Sequence, residues 1–394
     1  MAEGKLSALS ASPAWEAPTS TWRADREAHF QRALLHEIVS GPEQQTLWVT
    51  GPAGGGLSTE LAATAEELAR RGLFPVRASL LGRLTPALDS GPTSAFLLLL
   101  FWVLRAFPSE GITDVSIGKM EAPLLRLVEH LRGTIHLPQI TARQHWSGLL
   151  GQTLYVAAGL LRDPKWRAQL EEDPALRPAG TVDLVSALLE RLAQVVSRRV
   201  VLLVDDTNRM DLHLNADRVL TESAALWRSL PGTVVLAYPR RLELGAAFPH
   251  VLGTSRRVSL ESVSLAAAPA FLSALIARRA PELPLDARHV AWATSQSLGN
   301  PAEFLRLVLD AAQLAHARGV AIDEALEREV EERRAWELVS RLGDEQRALL
   351  IEIERSGRLP TEHPAWLAAR LVLEQGGPTR ARVHPSVARL LGVT

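Results

Sequence analysis

The segment Thr46-Leu-Trp-Val-Thr-Gly51-Pro-Ala-Gly-Gly-Gly56-Leu57-Ser58-Thr59 constrains the fold more than any other stretch of this chain. A short apolar run enters a loop with glycine at 51, 54, 55 and 56, and a Ser-Thr pair then opens a helix. Glycine tolerates positive φ and lets a backbone approach a ligand closely. A plain turn needs neither four glycines nor an immediate helix start. Gly51, Gly56 and Ser58 are in register with G-x-x-x-x-G-K-[ST], in which backbone N–H groups cradle phosphates, lysine contacts the β/γ-phosphates and the hydroxyl holds Mg²⁺. The lysine position holds Leu57. A helix N-terminus attracts an anion without any lysine, so phosphate affinity is expected to be weakened, not abolished. Hydrolysis is expected to suffer more, because charge stabilisation is the main device of phosphoryl transfer.

Lysine occurs only at positions 5, 119 and 165, so none lies near this loop in sequence. The 394 residues suffice for two or three domains, and 47% hydrophobic with 22% charged residues suits a globular protein with a large core. A formal net charge of −1 gives no global drive onto nucleic acid or an anionic membrane. There is no cysteine, which excludes disulfides and thiolate metal sites and fits a cytoplasmic setting. The N-terminus carries no secretory pattern. Ala95–Leu104 is the one membrane candidate, but it is about half the roughly 20 residues a span requires and is expected to be a buried helix. The 11 histidines form no metal-binding pattern. Trp102, Trp227, Trp292, Trp336 and Trp366 fall in expected helices, where packing explains them.

The pattern along the chain predicts strands at 46–50, 74–80, 199–206, 232–238 and 256–260. Helices are expected at 27–40, 59–71, 95–107 and 181–197. This alternation calls for a parallel sheet, because parallel strands need crossover helices. Residues 108–180 read as a mostly helical insertion. From 266 the periodicity is helical throughout, with helices expected at 271–279, 289–298, 301–318 and 323–340. Beyond Gly343 a helix at 344–355, another at 364–370 and two short strands around Gly376-Gly-Pro378 read as a winged helix.

Three further stations carry chemistry. Val200-Val-Leu-Leu-Val204-Asp205-Asp206 is a strand apolar on both faces that ends in two acids. In a phosphate-loop protein such an acid holds Mg²⁺, which makes Asp205 and Ser58 the candidate metal holders and Asp206 the group that orients attacking water. Tyr238-Pro-Arg240-Arg241 follows the next strand, at the edge where open α/β sheets bind ligands, so Arg240 is a candidate catalytic cation. Arg241 shares that position, although two solvated arginines on a loop are the commoner source of such a pair. Gly299-Asn-Pro301 joins two helices, with Pro301 at a helix first turn, either as a simple joint or as a lid turn over a nucleotide.

Taken in order, Gly51–Thr59, Val200–Met210, Val234–Arg240, Gly299–Pro301 and Val383-His-Pro-Ser-Val387 resemble the STAND-type branch of AAA+-related P-loop ATPases over roughly residues 25–390. The resemblance implies an N-terminal arm (1–25), a P-loop NTPase-like domain (26–262), a helical lid domain (263–340) and a winged-helix domain (341–394). It also implies ATP or ADP with Mg²⁺ as ligand, held by Gly51, Gly54, Gly55, Gly56, Leu57, Ser58, Thr59 and Pro301. Members act as nucleotide-gated switches that assemble with effector or sensor proteins, often as homo-oligomers. Two departures, Leu57 for lysine and Asn208 at a second acidic station, point to a regulatory subunit with impaired or absent hydrolysis in a prokaryotic signalling or defence assembly. An active ATPase that uses arginine in place of the lysine is the first alternative. DNA binding through the winged helix is the second, with ten Arg against seven Asp/Glu over residues 333–394.

Overall fold

A computed structural model describes residues 23, 24, 26, 29–80, 91–109, 121–134, 163–207, 217–244, 248–283, 285–340, 342–359, 366, 370–375 and 380–393. Two compact units result: one comprises Gln31–Thr50 and Ala63–Val258, the other Met1–Phe30, Gly51–Ala62 and Ser259–Thr394.

The first unit is built on a five-stranded sheet formed by β1 (Gln45–Thr50), β2 (Phe74–Ser79), β3 (Val200–Asp205), β4 (Thr233–Ala237) and β5 (Arg256–Ser259), in the order β2-β3-β4-β1-β5. The pairings β1–β4, β2–β3 and β3–β4 are parallel. All six residues of β3 and all five of β4 are buried, as their unbroken apolar runs require of central parallel strands. Along the chain the sheet strands alternate with α1 (His29–Ser40), α2 (Leu57–Arg70), α3 (Pro92–Ser109), α4 (Glu121–Thr134), α5 (Pro164–Glu172), α6 (Pro178–Val196), α7 (Ala224–Ser229) and α8 (Phe248–Leu252). Helix α3 is apolar on every side and buried on every side over Ala95–Phe101. Its Phe96 ring lies 4.5 Å from that of Trp227. Among the described residues no helix is long and apolar enough to cross a membrane.

The second unit is helical. It contains α9 (Ala268–Arg279), α10 (Ala287–Ser297), α11 (Pro301–Arg318), α12 (Glu324–Val339) and α13 (Asp344–Ser356). These are followed by the antiparallel pair β6 (Val372–Glu374) and β7 (Ala381–Val383), and by α14 (Pro385–Leu390). Of the helix expected at 364–370, only Trp366 among the described residues is helical. Helix starts follow their caps: the Asn300 side chain accepts from Ala302 N–H and Glu303 N–H, and Asp323 accepts from Leu326 N–H. Gly319 and Gly357 end α11 and α13 in left-handed conformations.

One packing expectation fails. Trp336 is 61% exposed, because α12 buries Val330, Arg334, Ala335 and Val339 and leaves position 336 outside that face. Trp227 is fully buried, as expected. The chain is thus an α/β protein with a P-loop NTPase type of core, a parallel sheet whose first strand leads into a glycine loop and a helix, followed by a helical C-terminal region.

Candidate functional site

The glycine loop lies in the second unit. Gly55 N–H bonds Pro52 C=O at 2.8 Å and Gly54 sits at φ +76°, so Pro52–Gly55 closes a tight turn with the positive-φ residue at its third position. Gly56 follows at φ +94°, and a side chain there would meet no atom within 4 Å. Helix α2 begins at Leu57, two residues earlier than its pattern suggests. The N–H groups of Leu57, Ser58 and Thr59 form its first turn and have no acceptor within the helix. A loop open at Gly56 above three such donors has the chemistry of a phosphate cradle. The Leu57 side chain is 3% exposed, so it is packed away from solvent and contributes no charge.

Residues distant in sequence fix the other side of the loop. Asn300 Nδ2 donates to Ala53 C=O at 2.7 Å, and Ala302 N–H donates to Gly54 C=O at 3.2 Å. The Gly-Asn-Pro turn therefore grips the loop through two carbonyls while Pro301 starts α11. A Cβ at Gly54 would come within 2.8 Å of Asn300 Oδ1 and 2.9 Å of Ala302 Cβ, so only glycine fits. Arg26 donates to Gly55 C=O at 2.6 Å and also to Glu261 C=O. Arg23 forms a two-pronged ion pair with Glu60 in the first turn of α2, at 3.3 and 2.9 Å.

Behind the Gly-Asn-Pro turn, Glu303 is fully buried. Arg334 holds it with two hydrogen bonds of 2.6 and 2.9 Å. His384 Nδ1 accepts from Ser386 N–H at 3.3 Å, which leaves the proton on Nε2, 3.2 Å from Glu303 Oε1. Arg370 Nη1 is more distant, at 3.4 Å. Burial on its own raises the Glu303 pKa. The His384 contact and the Arg334 hydrogen bonds and charge outweigh it, and the net shift is downward, well below the usual carboxylate range. The His-Pro station near the C-terminus is thereby tied to the first turn of α11, and Arg370 and Arg334 are tied to the same carboxylate.

In the first unit, the ends of β1, β2, β3 and β4 carry the remaining candidates. Asp205 closes β3 opposite Ser79 of β2 and is fully buried. Asp206 follows at φ +67° and accepts the Ser79 hydroxyl proton through Oδ2. Thr207 Oγ1 donates to Ala237 C=O, and Thr50 Oγ1 donates to Tyr238 C=O at 3.0 Å, so short hydroxyl side chains stitch the strand ends together. Tyr238 donates to Glu243 at 2.7 Å, and burial, then the Glu243 charge, raises its pKa far above the ordinary phenol value. Arg240 is buried. Asn208, Arg209 and the side chain of Arg241 lie outside the described residues. Among the described residues no group of three His, Asp or Glu is arranged to hold a metal ion.

Sequence reasoning singled out the loop, the acids and the Gly-Asn-Pro turn. It missed Ser79, Arg26, Arg370 and the hub role of Glu303. Asn300 with Glu303 three residues on is a helix-start signature, so Glu303 was visible as a helix-start residue but not as the centre of an ion cluster.

No protein-family model matches the chain. No curated protein matches it either. Among solved structures, the chain is similar to the Walker-type ATPase paby2304 of Pyrococcus abyssi, with 12% identity, 94% of this chain and 98% of that chain covered, and a TM-score of 0.45. It is similar to the Aeropyrum pernix ORC2 protein in its ADPNP-ADP complexes, with 14% identity, 94% and 93% covered, and a TM-score of 0.42. It is also similar to the Thermotoga maritima RuvB Holliday junction branch migration motor, with 14% identity, 94% and 96% covered, and a TM-score of 0.38. The fold assignment stands on the sheet and glycine loop described above.

Proposed function

We propose that this chain is a regulatory P-loop subunit of the STAND/AAA+-related kind. It binds ATP or ADP weakly, hydrolyses it poorly or not at all, and works by assembling with effector or sensor proteins or with copies of itself in a prokaryotic signalling or defence complex. One observation carries the reading: an open glycine cradle is retained while its lysine position is a buried leucine, 3% exposed. The N–H groups of Gly56 to Thr59 would hold the phosphates, and the Ser58 hydroxyl is the group of that loop suited to Mg²⁺. Asp206, after β3, is the acid suited to orienting water, and Arg240, after β4, is the candidate cation of the same unit. When bound, Mg²⁺ would supply charge neutralisation at the phosphates.

Calorimetric titration of the full chain with Mg-ATP and Mg-ADP, beside phosphate-release assays, tests this. Measurable binding with turnover at least about a hundredfold below that of Leu57→Lys is expected, since one stabilising charge contributes about 10²–10³ in rate. Robust turnover by the unmodified chain overturns it. The DNA-binding alternative is disfavoured by Arg382, whose guanidinium is committed to Glu354 at 2.7 Å.

A further inference from the structure

We propose that Arg370 supplies the phosphate-contacting charge that position 57 lacks, so that the nucleotide site of this chain is completed from the segment preceding β6. The inference rests on the nucleotide-binding reading above and names the cation of that same site.

Among the described residues, three arginines meet the loop or its helix within the second unit, and two are committed. Arg23 is spent on Glu60, and Arg26 on the carbonyls of Gly55 and Glu261. Arg370 is different. A Cβ built on Gly54 would lie 3.4 Å from Arg370 Nε, so the guanidinium rests directly against the glycine loop. Its ion pair among the described residues, to Glu303, is long at 3.4 Å, and that carboxylate already meets two shorter bonds from Arg334 and His384 at 3.2 Å. Arg370 is thus a surplus cation beside a loop that has lost one. Burial, the largest cause, and the charges of Arg334 and Arg306 depress its pKa against the opposing effect of Glu303, and a phosphate would place a further anion beside it. Its backbone lies at φ +59°, a left-handed conformation that is strained for a side-chain-bearing residue. The side chain is 29% exposed and borders a cavity of about 390 Å³, also lined by Arg306, Arg334, Glu337 and Trp366. Arginine binds phosphate through a planar fork of donors, as lysine does through a point charge.

The test is fluorescence titration of the full chain with mant-ADP and mant-ATP plus Mg²⁺, with AMP as the competitor that lacks the outer phosphates. Arg370→Ala is expected to weaken mant-ADP and mant-ATP about tenfold or more, the loss of one charge-assisted contact, and to leave AMP competition unchanged. Arg370→Lys should retain most of the affinity, and Leu57→Lys should restore it in the Arg370→Ala background. If the alanine variant melts early, Arg370→Gln gives the same readout with a side chain of similar reach. Gly56→Asp, which sets a negative charge in the open cradle, is the control for the loop. Wild-type affinity in Arg370→Ala and Arg370→Gln, within about twofold, combined with loss in Gly56→Asp, overturns the role of Arg370 and leaves the nucleotide reading standing. No binding by the unmodified chain at about 1 mM nucleotide overturns both.

Discussion

Glu303 shows at the scale of one residue how a buried charge becomes a joint. It is 0% exposed and meets Arg334, His384 and Arg370, which come from α12, the residue before α14 and the second residue before β6. Replacing it by glutamine removes the carboxylate that, among the described residues, joins Arg334 to His384, and breaking a buried pair in this way costs about 3–5 kcal/mol. Chemical denaturation at neutral pH should report a loss of that size in Glu303→Gln. The pH dependence has a definite sign. The folded pKa lies below the unfolded value of about 4.3, so the stabilisation is complete above about pH 5. It declines as pH falls below about 4.3 toward the folded value, and the gap between native and Glu303→Gln proteins should narrow over that range. A gap that stays constant from about pH 7 to 3 would show that the carboxylate charge is not what holds the joint. The glycines of the loop give a second test at this scale. Gly54→Ala places a Cβ 2.8 Å from Asn300 Oδ1, whereas Gly56→Ala meets nothing within 4 Å. Both suffer the left-handed backbone penalty of about 1 kcal/mol, so the additional loss in Gly54→Ala measures how tightly the Gly-Asn-Pro turn grips the loop. Equal melting temperatures for the two variants would remove that grip from the account.

At the scale of the element, α3 is the helix on which the first unit depends most. Phe96, Leu97, Leu99 and Leu100 are each 0% exposed, although they point to all sides of the helix. Phe96→Ala should therefore cost about 3–5 kcal/mol in urea denaturation, while Trp336→Ala, on the exposed side of α12, should stay within about 0.5 kcal/mol. A small effect at Phe96 would mean that the ring contact with Trp227 is dispensable. Strands β1 to β5 and helices α1 to α3, α6 and α9 to α13 were legible in the sequence to within a few residues, because buried parallel strands read as unbroken apolar runs and α11 carries its own start and stop signals, whereas α4 and α5 were legible only as part of a helical insertion. The short α7 and α8 were not, since five or six residues carry too little periodicity to register. The loop and the two acids were equally plain, because motif spacing is local. Arg370 and Ser79 were not: Arg370 meets Gly54 across more than three hundred residues of chain, and Ser79 meets Asp206 across 127. No local pattern marks either.

At the scale of the whole molecule, the division into two units places the glycine loop with the C-terminal helices and the sheet in the other unit. The loop is held by Asn300, Ala302 and Arg26 within its own unit, so a phosphate bound there stabilises that network first. Nucleotide at ten times its dissociation constant adds about 1.4 kcal/mol to the stability of whichever state binds it. That increment should appear in amide hydrogen exchange as slower opening, by about tenfold, over residues 53–59 and 297–304. The effect should be absent in Gly56→Asp and strongly reduced in Arg370→Ala. Slowing confined to 31–50 and 63–258 would place the ligand elsewhere and detach the glycine loop from nucleotide binding altogether. Slowing that starts at the loop and extends through Glu303 to 380–393 would show that the carboxylate joint carries the bound state into the C-terminal hairpin. A protein that switches without turnover requires this property, because its output then comes from which segments the nucleotide orders, not from the chemistry of cleavage.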